Sequence, residues 1–153
     1  MERILVILDK LCALTQRRAV ESACYPDRIR VEVGDFAAAQ ASHQGEDFIF
    51  FVPSGTDFAR HWDLSLPALW RRLKEANALL TGSLPRETDP HGPLPVAAEG
   101  FDEQGRLCLA PGAPLNHCAR LQPAAFLHPH LLFGSQNALK QLWQQEGPEP
   151  LFI

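Results

Sequence analysis

A chain of 153 residues suffices for one ordinary domain with a real core, and 46% apolar against 21% charged residues excludes wholesale disorder. A formal charge of −4 leaves no basic field for gripping a phosphate backbone, which argues against a nucleic-acid partner. The four cysteines, at 12, 24, 108 and 118, form no Cys-x-x-Cys pair and are expected to be reduced thiols in a cytoplasmic protein. The apolar run after Arg3 is too short for a signal segment or a membrane span, so no membrane partner is expected.

Ile4-Leu5-Val6-Ile7-Leu8 is branched and continuously apolar, the pattern of a strand buried on both faces. From Leu11 to Ala23 there is neither Gly nor Pro, and Leu14, Ala19, Val20 and Ala23 predict the apolar face of a helix. Tyr25-Pro26-Asp27 ends it, because Pro cannot continue a helix and restricts the residue before it. Arg28 to Val33 alternates polar and apolar residues, predicting a strand with one wet face that stops at Gly34-Asp35. Residues 37–43 form a short helical turn, and Phe48-Ile49-Phe50-Phe51-Val52 reads as a second buried strand. The order β-α-β-(α)-β points to an α/β protein with a mostly parallel sheet.

That buried strand ends in Pro53-Ser54-Gly55-Thr56-Asp57-Phe58, a small-residue loop carrying one acid. Ligands of open α/β sheets bind where strands end in such loops. Ser65 is placed to cap a helix over about 66–77, with Pro67 in its first turn and Leu66, Leu69, Trp70, Leu73 and Ala76 as its buried stripe. Residues 78–82 predict a strand, and Pro85 to Pro95 a surface loop rather than an interdomain linker. Phe101 to Leu107 reads as a turn leading to a weak strand through Leu109. Ser135 is placed to cap a last helix to about Glu146, stopped by Gly147-Pro148.

Several pieces in this order resemble a GT-A-type glycosyltransferase, and more narrowly the cytosolic GlcNAc-transferases that modify hydroxyproline, with their bacterial relatives. They are Ala19 to Ala23 with Tyr25-Pro26-Asp27-Arg28-Ile29, Pro53 to Phe58 followed by Trp62-Asp63, Ala78-Leu79-Leu80-Thr81, Phe101 to Leu107, and Phe133-Gly134-Ser135-Gln136. The resemblance implies a truncated, single GT-A-like domain over residues 1–153 that binds a UDP- or GDP-sugar. It places Asp9, Asp35, Ser54, Asp57, Trp62, Asp63 and Gln136 at the ligand. For Asp9 and Asp35 the alternative reading is a solvated turn acid. Asp57 is read as a metal or phosphate-site residue or as a local Asx turn. Trp62 either walls a sugar site or anchors the core, and Asp63 either meets a ligand or the N-terminus of the following helix.

The departures from that family concern its chemistry. Where the family carries metal ligands this chain has Pro53 and Gly55, so Mg²⁺ or Mn²⁺ follows only if Asp57 replaces them. Two acids of the family are replaced by Ser135 and Gln136, and Gln136 hydrogen-bonds a hydroxyl but cannot act as a general base. The expectation is a sugar-nucleotide-binding, glycosyltransferase-like protein with reduced or absent catalysis. The alternative is a catalytically dead domain acting through a protein partner. His128-Pro129-His130, with His117, lacks a third or fourth metal ligand at a definable place, and nothing marks Cys118 as a nucleophile beside His130.

Overall fold

The structure, a computed structural model, describes residues 2–81, 96–111 and 131–144. The sequence was read as one domain; the contacts group it into two compact units, Met1–Thr81 with Phe126–Ile153, and Gly82–Ala125. The first unit holds a five-stranded mixed sheet and four α-helices. In chain order these are β1 (Ile4–Leu8), α1 (Ala13–Glu21), β2 (Ile29–Val33), α2 (Phe36–Ser42), β3 (Phe48–Val52), α3 (Trp62–Arg71) and β4 (Leu79–Thr81). The second unit contributes the antiparallel pair β5 (Val96–Phe101) and β6 (Leu107–Pro111), and the chain then returns to β7 (Leu132–Ser135) and α4 (Gln136–Gln144) of the first.

The sheet order is β2-β1-β3-β7-β4. β1 pairs in parallel with both β2 and β3, whereas β7 is antiparallel to both β3 and β4. Four of the strands therefore run one way and β7 runs against them. This bears out an α/β architecture whose strands mostly share one direction.

Two-sided burial explains the layers. Every residue of β1 and β3 is buried. Ile4, Val6, Leu8, Phe48, Phe50 and Val52 face one core with Ala19, Trp62 and Phe133, under α1 and α3. Leu5, Ile7, Ile49 and Phe51 face the other with Ala39 and Leu139, under α2 and α4. Phe133 stacks on Phe48 with centroids 5.0 Å apart and meets Phe50 edge-on at 5.7 Å, which ties β7 to β3 through aromatic packing as well as backbone. At Gly134 a Cβ would fall 2.4 Å from Leu79 Cδ2, so the Leu79 side chain packs over this glycine where β4 meets β7.

Two expectations are corrected, and the turn read at Phe101 to Leu107 is found with a further strand before it. The third helix starts at Trp62 rather than after Ser65 and stops at Arg71, so Pro67 lies inside it and Ala76 is exposed beyond it. The early start is a tertiary effect: Trp62 Nε1 donates to Ala19 O at 2.8 Å, and the Asp63 carboxylate accepts from Cys24 N and Tyr25 N at 2.7 and 3.0 Å. These bonds hold the first turn against α1, with His61 in left-handed backbone before it. In α1 the buried positions are Thr15 and Ala19, while Leu14 is 44% exposed. In the second unit Val96–Phe101 is a strand, joined to the next by a turn in which Asp102 Oδ1 accepts from Gln104 N and Arg106 N. Ser135 does cap α4, its hydroxyl accepting from Ala138 N at 3.1 Å. The loop read at 85–95 lies outside the described residues. Among the described residues no helix is long and apolar enough to cross a membrane.

One acid is buried with the sheet. Glu46, 2% exposed, accepts from Arg30 Nε and from Gln44 N, each at 2.7 Å. Arg30 also donates to Glu32 and to Ser42 O, so it clamps β2 to the end of α2 and to the approach to β3. Burial alone would raise the Glu46 carboxyl, but the Arg30 guanidinium and the Gln44 amide outweigh it and bring it down to about 2. A lowered carboxyl stabilises the fold fully above its ordinary value of 4.5, and that contribution is lost as pH falls toward about 2. Acid titration followed by circular dichroism should show this loss, on the order of 3 kcal/mol, within that window. Glu46→Gln should cost a comparable amount at neutral pH, because it leaves Arg30 without its buried partner, and should flatten the acid dependence.

Candidate functional site

Strands that share a direction deliver their following loops to one edge of the sheet. Here the loops after β1, β2 and β3 meet at that edge. The chain steps from β1 to β2 on one side and places β3 on the other, so the strand order reverses between β1 and β3. Open α/β sheets place their ligand crevice at such a reversal.

Residues from the two flanking loops are laced together. Ser54 N donates to Asp9 Oδ1 at 2.7 Å, and the Ser54 hydroxyl donates to Lys10 O at 2.5 Å and accepts from Lys10 N at 3.2 Å. Gly55 N donates to Thr15 Oγ1 at 2.8 Å, and Thr15 Oγ1 donates to Cys12 Sγ at 3.1 Å. Gly55 has φ +87°, a left-handed conformation that turns its N–H toward α1. Thr56 closes the turn through its hydroxyl bond to Pro53 O at 2.6 Å. Asp57 is ion-paired with Arg18, which projects from α1.

Of the residues expected at a ligand, Asp9, Ser54 and Asp57 are brought to this edge by β1 and β3. Asp35 follows β2 at the same edge and caps α2, accepting from Ala38 N at 3.0 Å. Trp62 is a core residue, 3% exposed, and Asp63, 8% exposed, has both carboxylate oxygens bonded to the turn after α1. Gln136 lies elsewhere. It follows β7, whose Ser135 pairs with Phe48 at the start of β3, and its N–H donates to Asp47 O. A five-residue strand, roughly 16 Å of chain, separates it from Asp9 and Ser54.

A divalent cation does not fit the residues present. Pro53 and Gly55 offer no side-chain ligand, and the single loop acid, Asp57, already has an arginine as its counter-ion. Among the described residues no group of three or more His, Cys, Asp or Glu converges on a point. His117, Cys118, His128 and His130 lie outside the described residues.

Thr15 went unread in the sequence, and Cys12 was read only as one of four reduced thiols. Cys12 is the N-cap of α1, and the Thr15 hydroxyl, with the backbone N–H groups of Thr15, Leu14 and Gly55, holds its thiol below the ordinary value. The signal that could have found it is a Cys a few residues after a strand, with Thr three residues on, at a helix start. Beside it Leu11 is 78% exposed.

Comparison with families of known proteins, with characterised proteins and with solved structures returns no match. The fold and the edge define an α/β protein whose loops after β1 and β3 are joined by polar hydrogen bonds at the reversal of strand order.

Thr15 is the junction that joins the two loops, and its removal should register at both ends. Thr15→Val should leave Gly55 N–H without its acceptor and cost about 1–2 kcal/mol in urea unfolding. It should also move the pH profile of Cys12 alkylation, resolved by peptide mass, toward that of an ordinary thiol.

Proposed function

We propose that this protein is a glycosyltransferase-like binder of a sugar nucleotide, with reduced or absent transfer activity. The observation that carries the reading is the meeting of Asp9, Ser54 and Asp57 at the one edge where the strand order reverses. Asp9 and Asp35, at the ends of β1 and β2, stand where hydroxyls of a ribose or a sugar would find acceptors. Lys10 and Arg18 supply positive charge for a diphosphate, and the N-terminus of α1 adds its dipole to them.

The weak part of the chemistry is departure of the nucleoside diphosphate. A metal would offset its developing charge, and the loop after β3 carries no ligand set for one. Lys10 and Arg18 are the counter-charges at hand, and in this structure Arg18 is paired with Asp57. Binding of a diphosphate would require Arg18 to exchange one anionic partner for another. That favours recognition over turnover.

Calorimetric titration with UDP, GDP and UDP-GlcNAc, with and without Mn²⁺, tests the reading. Binding should be observed without metal and should not tighten when Mn²⁺ is added. Asp57→Ala should strengthen diphosphate binding by up to about 1 kcal/mol, the size of an exposed ion pair, by releasing Arg18. Binding that depends on Mn²⁺ and disappears in Asp57→Ala would instead restore Asp57 as a metal ligand and reopen catalysis. An absence of heat at millimolar ligand would remove the donor site. The surviving reading would then be a catalytically dead domain that acts through a protein partner, which the mutual satisfaction of Asp9, Lys10 and Ser54 favours.

A further inference from the structure

The two edges of the five-stranded sheet are unlike. β4 is three residues long, and a very short edge strand offers little template for pairing. β2 is five residues long, has no Pro, Lys or bulge, and is only half-buried along its length, with Val33 38% exposed. Of the usual devices that protect an edge it carries only charged side chains, Arg30 and Glu32, and those are of opposite sign.

Its hydrogen-bonding pattern fixes which groups face outward. Gly34 N donates to Leu8 O at 2.9 Å, so by alternation Arg30 and Glu32 also turn their backbone groups toward β1. Ile29, Val31 and Val33 therefore turn theirs away from the sheet. Ile29 N–H is already used, donating to Pro26 O. Among the described residues no strand pairs with this outer edge.

The sequence Ile29-Arg30-Val31-Glu32-Val33 is complementary to itself in the antiparallel sense. We propose that β2 is a homodimer edge, at which a second copy of this chain pairs antiparallel about a two-fold axis at Val31. In that register Val31 exchanges N–H and C=O with the second copy's Val31, and Val33 N–H reaches the second copy's Ile29 C=O. The already occupied Ile29 N–H is not required. Arg30 falls opposite the second copy's Glu32 as a pair not bridged by backbone bonds, the arrangement in which side chains come closest. Each copy already holds Arg30 and Glu32 together at 2.8 Å, so the two pairs would merge into one alternating four-charge network.

The opposite face of the edge is self-complementary as well. Val31 shares an open groove of about 500 Å³ with Ala13, Gln16, Arg17, Val20 and Glu21 of α1. A two-fold axis perpendicular to the sheet sets the two α1 helices antiparallel over the joined edges. It thereby places Arg17 of each copy on the side of Glu21 of the other. Apolar Ala13, Val20 and Val31 would form the centre and charges the rim, the usual anatomy of an interface. The product is a continuous sheet through both copies.

Sedimentation equilibrium from micromolar to near-millimolar chain tests this directly. The mass should rise with concentration from 17.0 kDa to twice that value. Val31→Pro should hold it at the monomer, because an edge Pro whose N–H faced outward removes no bond within the chain. Glu32→Lys, which sets like charges opposite each other, should do the same. In the wild-type chain the Val31 and Val33 amides should exchange more slowly with deuterium as concentration rises, whereas the Arg30 and Glu32 amides should not change. A wild-type chain that stays monomeric throughout overturns the proposal, as does association without slowed exchange at Val31 and Val33. The exchange measurement decides the matter even if a variant fails to fold.

Discussion

The structure depends on one constraint: β1 and β3 carry no polar side chain and must be covered on both faces. A strand such as Ile4–Leu8, buried at every residue, cannot end a sheet or face water. Parallel pairing with β2 and β3 buries its backbone, and the crossovers that parallel pairing demands supply α1 and α2. Because β1, β2 and β3 run in one direction, the loops that follow them collect at one edge. The placement of Asp9, Asp35 and the 53–57 loop together is thus a consequence of burial before it is a feature of any site.

What the edge does with those residues is mostly to bind them to one another. Ser54 is held by Asp9 and Lys10, Gly55 by Thr15, and Asp57 by Arg18. An acid intended for a metal gains affinity from other acids or carbonyls nearby and loses it beside a guanidinium, because the two cations compete for one charge. The Arg18–Asp57 pair is well exposed, so it adds little to stability and yields readily to a competing anion. The lacing by Ser54 and Thr15 is the more rigid part, and it fixes the distance between the two loops.

The parts of the fold legible in the sequence were those that local pattern determines. Unbroken apolar runs identified β1 and β3, alternation identified β2, and Ser135 identified the start of α4. The start of α3 was not legible, because it depends on Trp62 and Asp63 reaching residues of α1 and the turn after it, about forty positions earlier. Pairing of β7 beside β3 was equally hidden, since antiparallel insertion of a late strand leaves no local mark. For the same reason the resemblance could group Gln136 with Asp57 although the direction of β7 carries it to the other end of the sheet. Thr15 was overlooked because a buried threonine in a helix reads as a weak core residue until its hydroxyl is seen to accept from Gly55 and donate to Cys12.

The buried Arg30–Glu46 pair follows from the same constraint at the sheet's margin. Burial holds β1 and β3 in place, but β2, half-exposed and, among the described residues, flanked by a strand on one side only, has less apolar area to hold it. Arg30 compensates by reaching Glu46 and Ser42 O, anchors in two other segments, while also bonding Glu32 of its own strand. A hydrophobic residue at position 46 could bury as well but would fix no direction, whereas the guanidinium fork has one geometry that satisfies all three. Protonation of Glu46 would loosen that clamp while leaving the apolar core intact, so acid should act first on the edge strand. The edge of the sheet is thus held electrostatically and its centre by burial, and the two halves of the fold answer to different solution conditions.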